Sequence, residues 1–122
     1  MARAKKTLVL GATDNPSRYA NMAIRKLSAY GHPVVAIGKK PGQVNEVRIE
    51  TDHVGANGVD TVTLYLNPKN QQEYYDYILD LQPKRIIFNP GTENDDLIRR
   101  AKENGIEPVI GCTLVMLSVG TY

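Results

Sequence analysis

The chain has one cysteine, Cys112, no tryptophan and a single phenylalanine among 122 residues. A lone cysteine excludes a disulfide framework and a cysteine-built metal site, and it reads as a protein of a reducing, intracellular compartment. Long apolar runs are missing too: none approaches the roughly 20 residues that a membrane-spanning helix needs. The basic opening Met1-Ala2-Arg3-Ala4-Lys5-Lys6 is followed only by Thr7-Leu8-Val9-Leu10 before Gly11, too short for the apolar stretch of a signal peptide. The expectation is a cytoplasmic protein that does not meet the membrane. An excess of one charge sign is also lacking, with 15 Lys and Arg against 13 Asp and Glu for a formal net charge of +2. Arg25, Lys26, Arg99, Arg100 and Lys102 have no aromatics interleaved among them, which argues against a nucleic-acid partner. A local basic patch for a small anion remains open.

What is present is ordinary for a folded domain. Apolar residues make up 42% and charged residues 23%, which excludes disorder. A chain of this length forms one domain, residues 1–122, and buries about two-thirds of its unfolded surface. Short apolar runs alternate with amphipathic segments. Thr7-Leu8-Val9-Leu10, Val34-Val35-Ala36-Ile37, Val62-Thr63-Leu64-Tyr65-Leu66 and Arg85-Ile86-Ile87-Phe88 read as buried strands, and Pro108-Val109-Ile110 as a last inner strand. A short edge strand is expected near Val47-Arg48-Ile49. Ala20, Ala23, Ile24, Leu27 and Tyr30 fall at helical spacing, ended by Gly31 and Pro33. Tyr74, Tyr75, Ile78 and Leu79 mark a second helix, with Tyr77 off its buried stripe and free for a homodimer contact. Leu97, Ile98 and Ala101 mark a third, started by a capping-box-like Thr92 and Asp95 and ended by Gly105. Leu114-Val115-Met116-Leu117 is an apolar tail that packs on the core. Strand alternating with helix predicts an α/β, Rossmann-like doubly wound parallel sheet of five or six strands in a single domain.

In such sheets ligands bind outside the carboxyl ends of the strands, so the loops 11–18, 38–43, 66–70, 89–94 and 111–113 carry the functional candidates. Gly11 allows a sharp exit from the first strand. Asn15 or Ser17 can cap the following helix, and Pro16 suits its first turn. Main-chain N–H groups there, the helix dipole and Arg18 suit a pyrophosphate. The loop is neither G-x-G-x-x-G nor a P-loop, because positions 13 and 16 are Thr and Pro. After the second strand, where NAD enzymes place an acidic residue, stands Gly38-Lys39-Lys40-Pro41-Gly42. Two ammonium groups suit a phosphate on a ribose. This leaves NADP, with its 2′-phosphate, and coenzyme A, with its 3′-phosphate. Cys112 reads as a buried, inert thiol, His32 as a surface residue at a helix end, and the Glu93, Asp95, Asp96 cluster as helix-start carboxylates.

Taken in order, Gly11-Ala12-Thr13, Asn15-Pro16-Ser17-Arg18, Lys39-Lys40-Pro41-Gly42, Tyr65-Leu66-Asn67-Pro68, Asn89-Pro90-Gly91-Thr92-Glu93-Asn94 and Gly105-Ile106 before Cys112 resemble the small stand-alone CoA-binding domain proteins. These are similar to the N-terminal domain of the succinyl-CoA synthetase α subunit, and the resemblance runs over roughly residues 5–117. It implies a CoA-binding module with Gly11, Thr13, Ser17 and Arg18 at the phosphates, in a turn that includes Ala12, Asn15 and Pro16. Lys39 and Lys40, beside Gly38, would take the adenosine end with its 3′-phosphate. Tyr65, Leu66, Asn67 and Pro68 would contact the middle of the ligand, and Asn89, Pro90 and Gly91 the pantetheine. The phosphohistidine domain of succinyl-CoA synthetase is not in this sequence, and no nucleophile–base pair or metal cluster is assignable to the loops. The reading is a non-catalytic carrier, sensor or regulatory partner of acyl-CoA enzymes; the alternatives are an NADP-dependent oxidoreductase and an interaction subunit with a vestigial pocket.

Overall fold

The computed structural model describes residues 3–122, so Met1 and Ala2 of the basic opening lie outside the described residues. In chain order the elements are β1 (Thr7–Leu10), α1 (Tyr19–Ala29), β2 (Val34–Ile37), β3 (Gly42–Val44), β4 (Val47–Glu50) and β5 (Thr61–Leu64). There follow α2 (Pro68–Gln71), a 3-10 turn (Gln72–Tyr74), α3 (Tyr75–Leu81), β6 (Arg85–Phe88), α4 (Asp95–Glu103), β7 (Glu107–Ile110) and α5 (Thr113–Val119). The strands form one sheet in the order β3-β4-β2-β1-β5-β6-β7. All neighbours pair in parallel except β3, which runs antiparallel to β4. The architecture is the expected Rossmann-like α/β sheet, with one strand, β3, beyond the five or six expected.

Alternation along each strand sends successive side chains to opposite faces. Leu8, Leu10, Ile37, Val62, Leu64, Ile86 and Phe88 meet Tyr74, Tyr75, Ile78, Leu97 and Ala101 from α3, α4 and the turn before them on one face. Val9, Ala36 and Ile49 meet Ala20, Ile24, Leu27 and Leu117 from α1 and α5 on the other. The chain therefore changes face between β1 and β5, and this is the switch point at which a crevice must open on the carboxyl edge.

Several local expectations are corrected. Residues 42–50 form a hairpin, with Val44 opposite Val47 across the two-residue turn Asn45-Glu46 and Asn45 at φ 53°. α1 begins at Tyr19, because Asn15 accepts the Ser17 N–H and hydroxyl and so closes a separate turn before the helix. α4 is capped by Asn94, whose Oδ1 accepts from the N–H groups of Asp96 and Leu97, while Thr92 donates instead to the Asn89 carbonyl. β7 is an edge strand, not an inner one, and Ile110 at its end is 58% exposed. Its N–H groups at Glu107 and Gly111 donate to β6-side carbonyls, so Pro108 turns its donorless nitrogen to the open side. Tyr30 is exposed, and Val115 and Val119 of the tail helix face solvent while Leu117 packs inward. Tyr77 is not free for a partner: it is half-buried, its hydroxyl donates to the Val54 carbonyl, and its ring lies 5.0 Å from His53.

His32 is buried, not a surface cap. Its Nδ1 accepts the Lys5 main-chain N–H at 2.9 Å, and its ring centroid lies 4.9 Å from that of Tyr122. Tyr122 is held at the amino edge of the sheet by a hydroxyl hydrogen bond with Thr7, by the Arg85 guanidinium 4.4 Å over its ring, and by Lys5 donating to its carbonyl.

Candidate functional site

Three loops meet main chain to main chain at the switch point. Gly11 leaves β1 at φ +92°, and a Cβ there would stand 2.8 Å from the Tyr65 carbonyl oxygen. Gly38 is tighter still: a Cβ would stand 2.2 Å from the Ala12 carbonyl oxygen. The N–H groups of Gly11 and Ala12 both donate to the Ile37 carbonyl, and Tyr65 N–H donates to Leu10. Glycine at 11 and 38 is thus what lets the loops after β1, β2 and β5 share one corner.

That corner opens into a cleft of about 700 Å³. Of the sequence-predicted residues, Gly11, Ala12, Thr13, Ser17, Arg18, Lys39, Lys40, Tyr65, Leu66, Asn67, Pro90 and Gly91 line it. Asn15, Pro16, Gly38, Pro68 and Asn89 do not. Asn15 and Pro16 shape the turn before α1, Gly38 is the buried contact just described, and Pro68 opens α2 behind its cap Asn67. Asn89 is buried: its amide donates to Thr63 Oγ1 at 2.7 Å and to the Leu64 carbonyl at 2.8 Å, and its Oδ1 accepts the Thr113 N–H. It ties β5, β6 and the start of α5 together beneath the cleft floor.

Asp14, Tyr19, Ala20, Asn70 and Thr92 complete the lining; none was named as a ligand residue from the sequence, although Asp14, Asn70 and Thr92 fall within the candidate loops. Tyr19 and Ala20 follow from the later start of α1; placing that start at Asn15 or Ser17 hid them. The shift changes the electrostatics of the site. The amides of Asn15, Ser17 and Arg18 are consumed within the turn, by Thr13 Oγ1, Asn15 Oδ1 and the Asn15 carbonyl. The first turn of α1 receives no side-chain cap, so the unpaired N–H groups of a helix start lie at Tyr19 and Ala20, on the cleft wall. Arg18, Lys39 and Lys40 are exposed beside them. Asp14 is the one carboxylate in the wall among the described residues, and it packs against Gly42, where a Cβ would come within 2.9 Å of Asp14 Oδ2.

The opposite wall is less charged. Gly91 sits at φ +90° and donates its N–H to Glu93 Oε1 at 2.9 Å. The Tyr65 hydroxyl is buried next to Thr63 and Thr113 and finds no hydrogen-bond partner among the described residues; burial, helped by the nearby Cys112, pushes its pKa well above the usual tyrosine value. Cys112 itself is half-buried rather than buried, at the residue before α5, and does not line the cleft. Neither histidine lines it.

A parallel sheet with a cationic, amide-rich cleft at its switch point defines a Rossmann-type ligand-binding domain. A family model for the CoA binding domain matches residues 5–118, and the chain belongs to that family. It is similar to a crystal structure of an uncharacterized protein, 55% identical, covering 99% of this chain and 100% of that one with a TM-score of 0.96. A hypothetical protein from Pyrococcus horikoshii OT3 is 24% identical over 96% of this chain and 84% of its own, with a TM-score of 0.87. The Ca. Korarchaeum cryptofilum dinucleotide-forming acetyl-coenzyme A synthetase 1 is 18% identical, with a TM-score of 0.70; the match covers 88% of this chain but 26% of that enzyme. These last two likenesses concern the fold alone. No curated protein matches the chain. Among the described residues, no helix is long and apolar enough to cross a membrane.

Proposed function

We propose that the protein binds coenzyme A in this cleft and acts as a carrier, sensor or regulatory module without chemistry of its own. The observation that carries the reading is the uncapped start of α1 at Tyr19 and Ala20, set between Arg18 and the Lys39-Lys40 pair. Unpaired N–H groups at a helix start favour a diphosphate, and a guanidinium strengthens the contact by charge-assisted hydrogen bonds. The lysines after β2 take the 3′-phosphate of the adenosine end. The pantetheine arm then crosses toward Leu66, Asn67, Pro90 and Gly91, where the wall is less charged. The ionisable groups in the lining are Asp14, Arg18, Tyr19, Lys39, Lys40 and Tyr65. None of these forms a nucleophile–base pair with a histidine or cysteine, which supports a binding role rather than an enzymatic one.

The test is thermal stability with CoA, dephospho-CoA, NADP and NAD. A ligand at 100 times its Kd adds about 2.7 kcal/mol, a rise in Tm of roughly 10 °C for a domain this size. CoA is expected to give that rise and dephospho-CoA a much smaller one. A response to NADP alone would replace this reading with the dinucleotide one. Arg18→Ala is expected to weaken CoA about tenfold or more, the worth of a hydrogen bond to a charged group, and to leave Tm of the free protein unchanged because the side chain is exposed. Unaltered affinity in that variant would remove Arg18 from the phosphate site.

A further inference from the structure

We propose that Gln71, which does not touch the cleft, is a positioning residue that sets the spacing of the two loops beside the pantetheine arm. The inference rests on the CoA reading above. Gln71 is fully buried at 0% exposure. Its Nε2 donates to the Leu66 carbonyl and to the Thr92 carbonyl, each at 2.8 Å. Its Oε1 accepts from Asn94 Nδ2 at 2.9 Å, and Asn94 Nδ2 also donates to the Tyr75 hydroxyl at 2.7 Å. Leu66 and Thr92 both line the cleft, one on the loop leaving β5 and the other on the loop leaving β6.

The pairing of β5 with β6 stops at Leu64 and Phe88. Beyond that point, among the described residues, no main-chain hydrogen bond joins residues 65–70 to residues 89–94. One side-chain amide spans the gap, with its two N–H bonds pointing at one carbonyl from each loop. Its chemistry fits the task closely. A primary amide has two donors for the two carbonyls and an acceptor for the asparagine, and all three are used. A carboxylate at the same place would meet both carbonyls with lone pairs. An apolar side chain would leave two buried carbonyls unpartnered, and these would drift toward water and carry the loops apart.

Because the adenosine end lies over β1 and β2 while the arm lies over β5 and β6, widening this gap penalises the arm alone. For Gln71→Met the expected result is a CoA affinity about tenfold weaker, with adenosine 3′,5′-bisphosphate, which lacks the arm, bound as tightly as by the parent. Equal losses for both ligands, or none for either, would overturn the positioning role, since a general loss of structure does not discriminate between them. Should the variant fail to fold, the unaltered protein still decides. The Gln71 side-chain NH₂ resonances are expected to be protected from solvent exchange and to shift on adding CoA but not on adding adenosine 3′,5′-bisphosphate. Rapid exchange, or identical responses to both compounds, would sink the proposal. A parent protein that binds neither compound would instead defeat the CoA reading, and this inference with it.

Discussion

Gly38 and His32 show how single positions carry their effects by opposite means, one through an absent side chain and the other through a buried ring. A methyl group at 38 would overlap the Ala12 carbonyl, 2.2 Å away, and neither partner is a flexible side chain that can yield. Gly38→Ala is expected to cost about 1–3 kcal/mol, as overpacking does, or roughly 5–15 °C in Tm. It should also weaken CoA if the proposed phosphate site is right, because the corner between the loops after β1 and β2 must move. Calorimetry and ligand titration on the same sample check both. His32 is held neutral: burial, with the positive Lys5 and Arg85 nearby, lowers its pKa from 6.5, against an opposing pull from Asp60. The unfolded chain therefore binds a proton that the folded one refuses. Stability from this residue is complete above about pH 6.5 and falls as pH drops below it, levelling off once the folded form also protonates. Chemical denaturation at pH 7.5 and 5.5 should show this loss in the parent and a smaller one in His32→Gln.

At the level of helices and strands, caps decide where free main-chain N–H groups are left. Asn94 accepts two N–H groups at the start of α4 and also serves Gln71 and Tyr75. Asn94→Ala is expected to destabilise by about 1–2 kcal/mol as a lost cap, and by more through its buried neighbours; urea unfolding measures it. How far the elements could be read beforehand follows from the same chemistry. β1, β2, β5 and β6 were legible because each is a short stretch rich in β-branched and apolar residues that the sheet largely buries, and Gly31 and Gly105 because only a left-handed residue ends those helices cheaply. The β3–β4 hairpin was half hidden, since Gly42–Val44 has three residues and exposes Gln43. The start of α1 was misplaced because Asn15, Pro16 and Ser17 satisfy the rules for a helix cap equally well in a separate turn. In the cleft, the cationic and glycine positions announced themselves. Tyr19 was hidden by the misplaced start of α1, and Asn70 and Thr92 did not stand out, because nothing in their local sequence says which way α2 or the loop after β6 faces the cleft.

Across the whole molecule, the proposed binding cleft and the fastening of the chain's end occupy opposite edges of one sheet. The cleft lies at the carboxyl ends of the strands, while Tyr122 closes the amino ends against Thr7, His32, Arg85 and Lys5. Tyr122→Ala is therefore expected to lower Tm markedly, by about 3 kcal/mol of lost packing, with CoA affinity in the folded protein unchanged; a parallel loss of affinity would mean the two edges are coupled. The rims of the sheet have their own consequence. On one side Pro108 removes a donor from an already short strand, and on the other β3 is three residues long. Neither offers the row of alternating donors and acceptors that recruits a foreign strand, so the protein should resist templated fibril growth even when crowded.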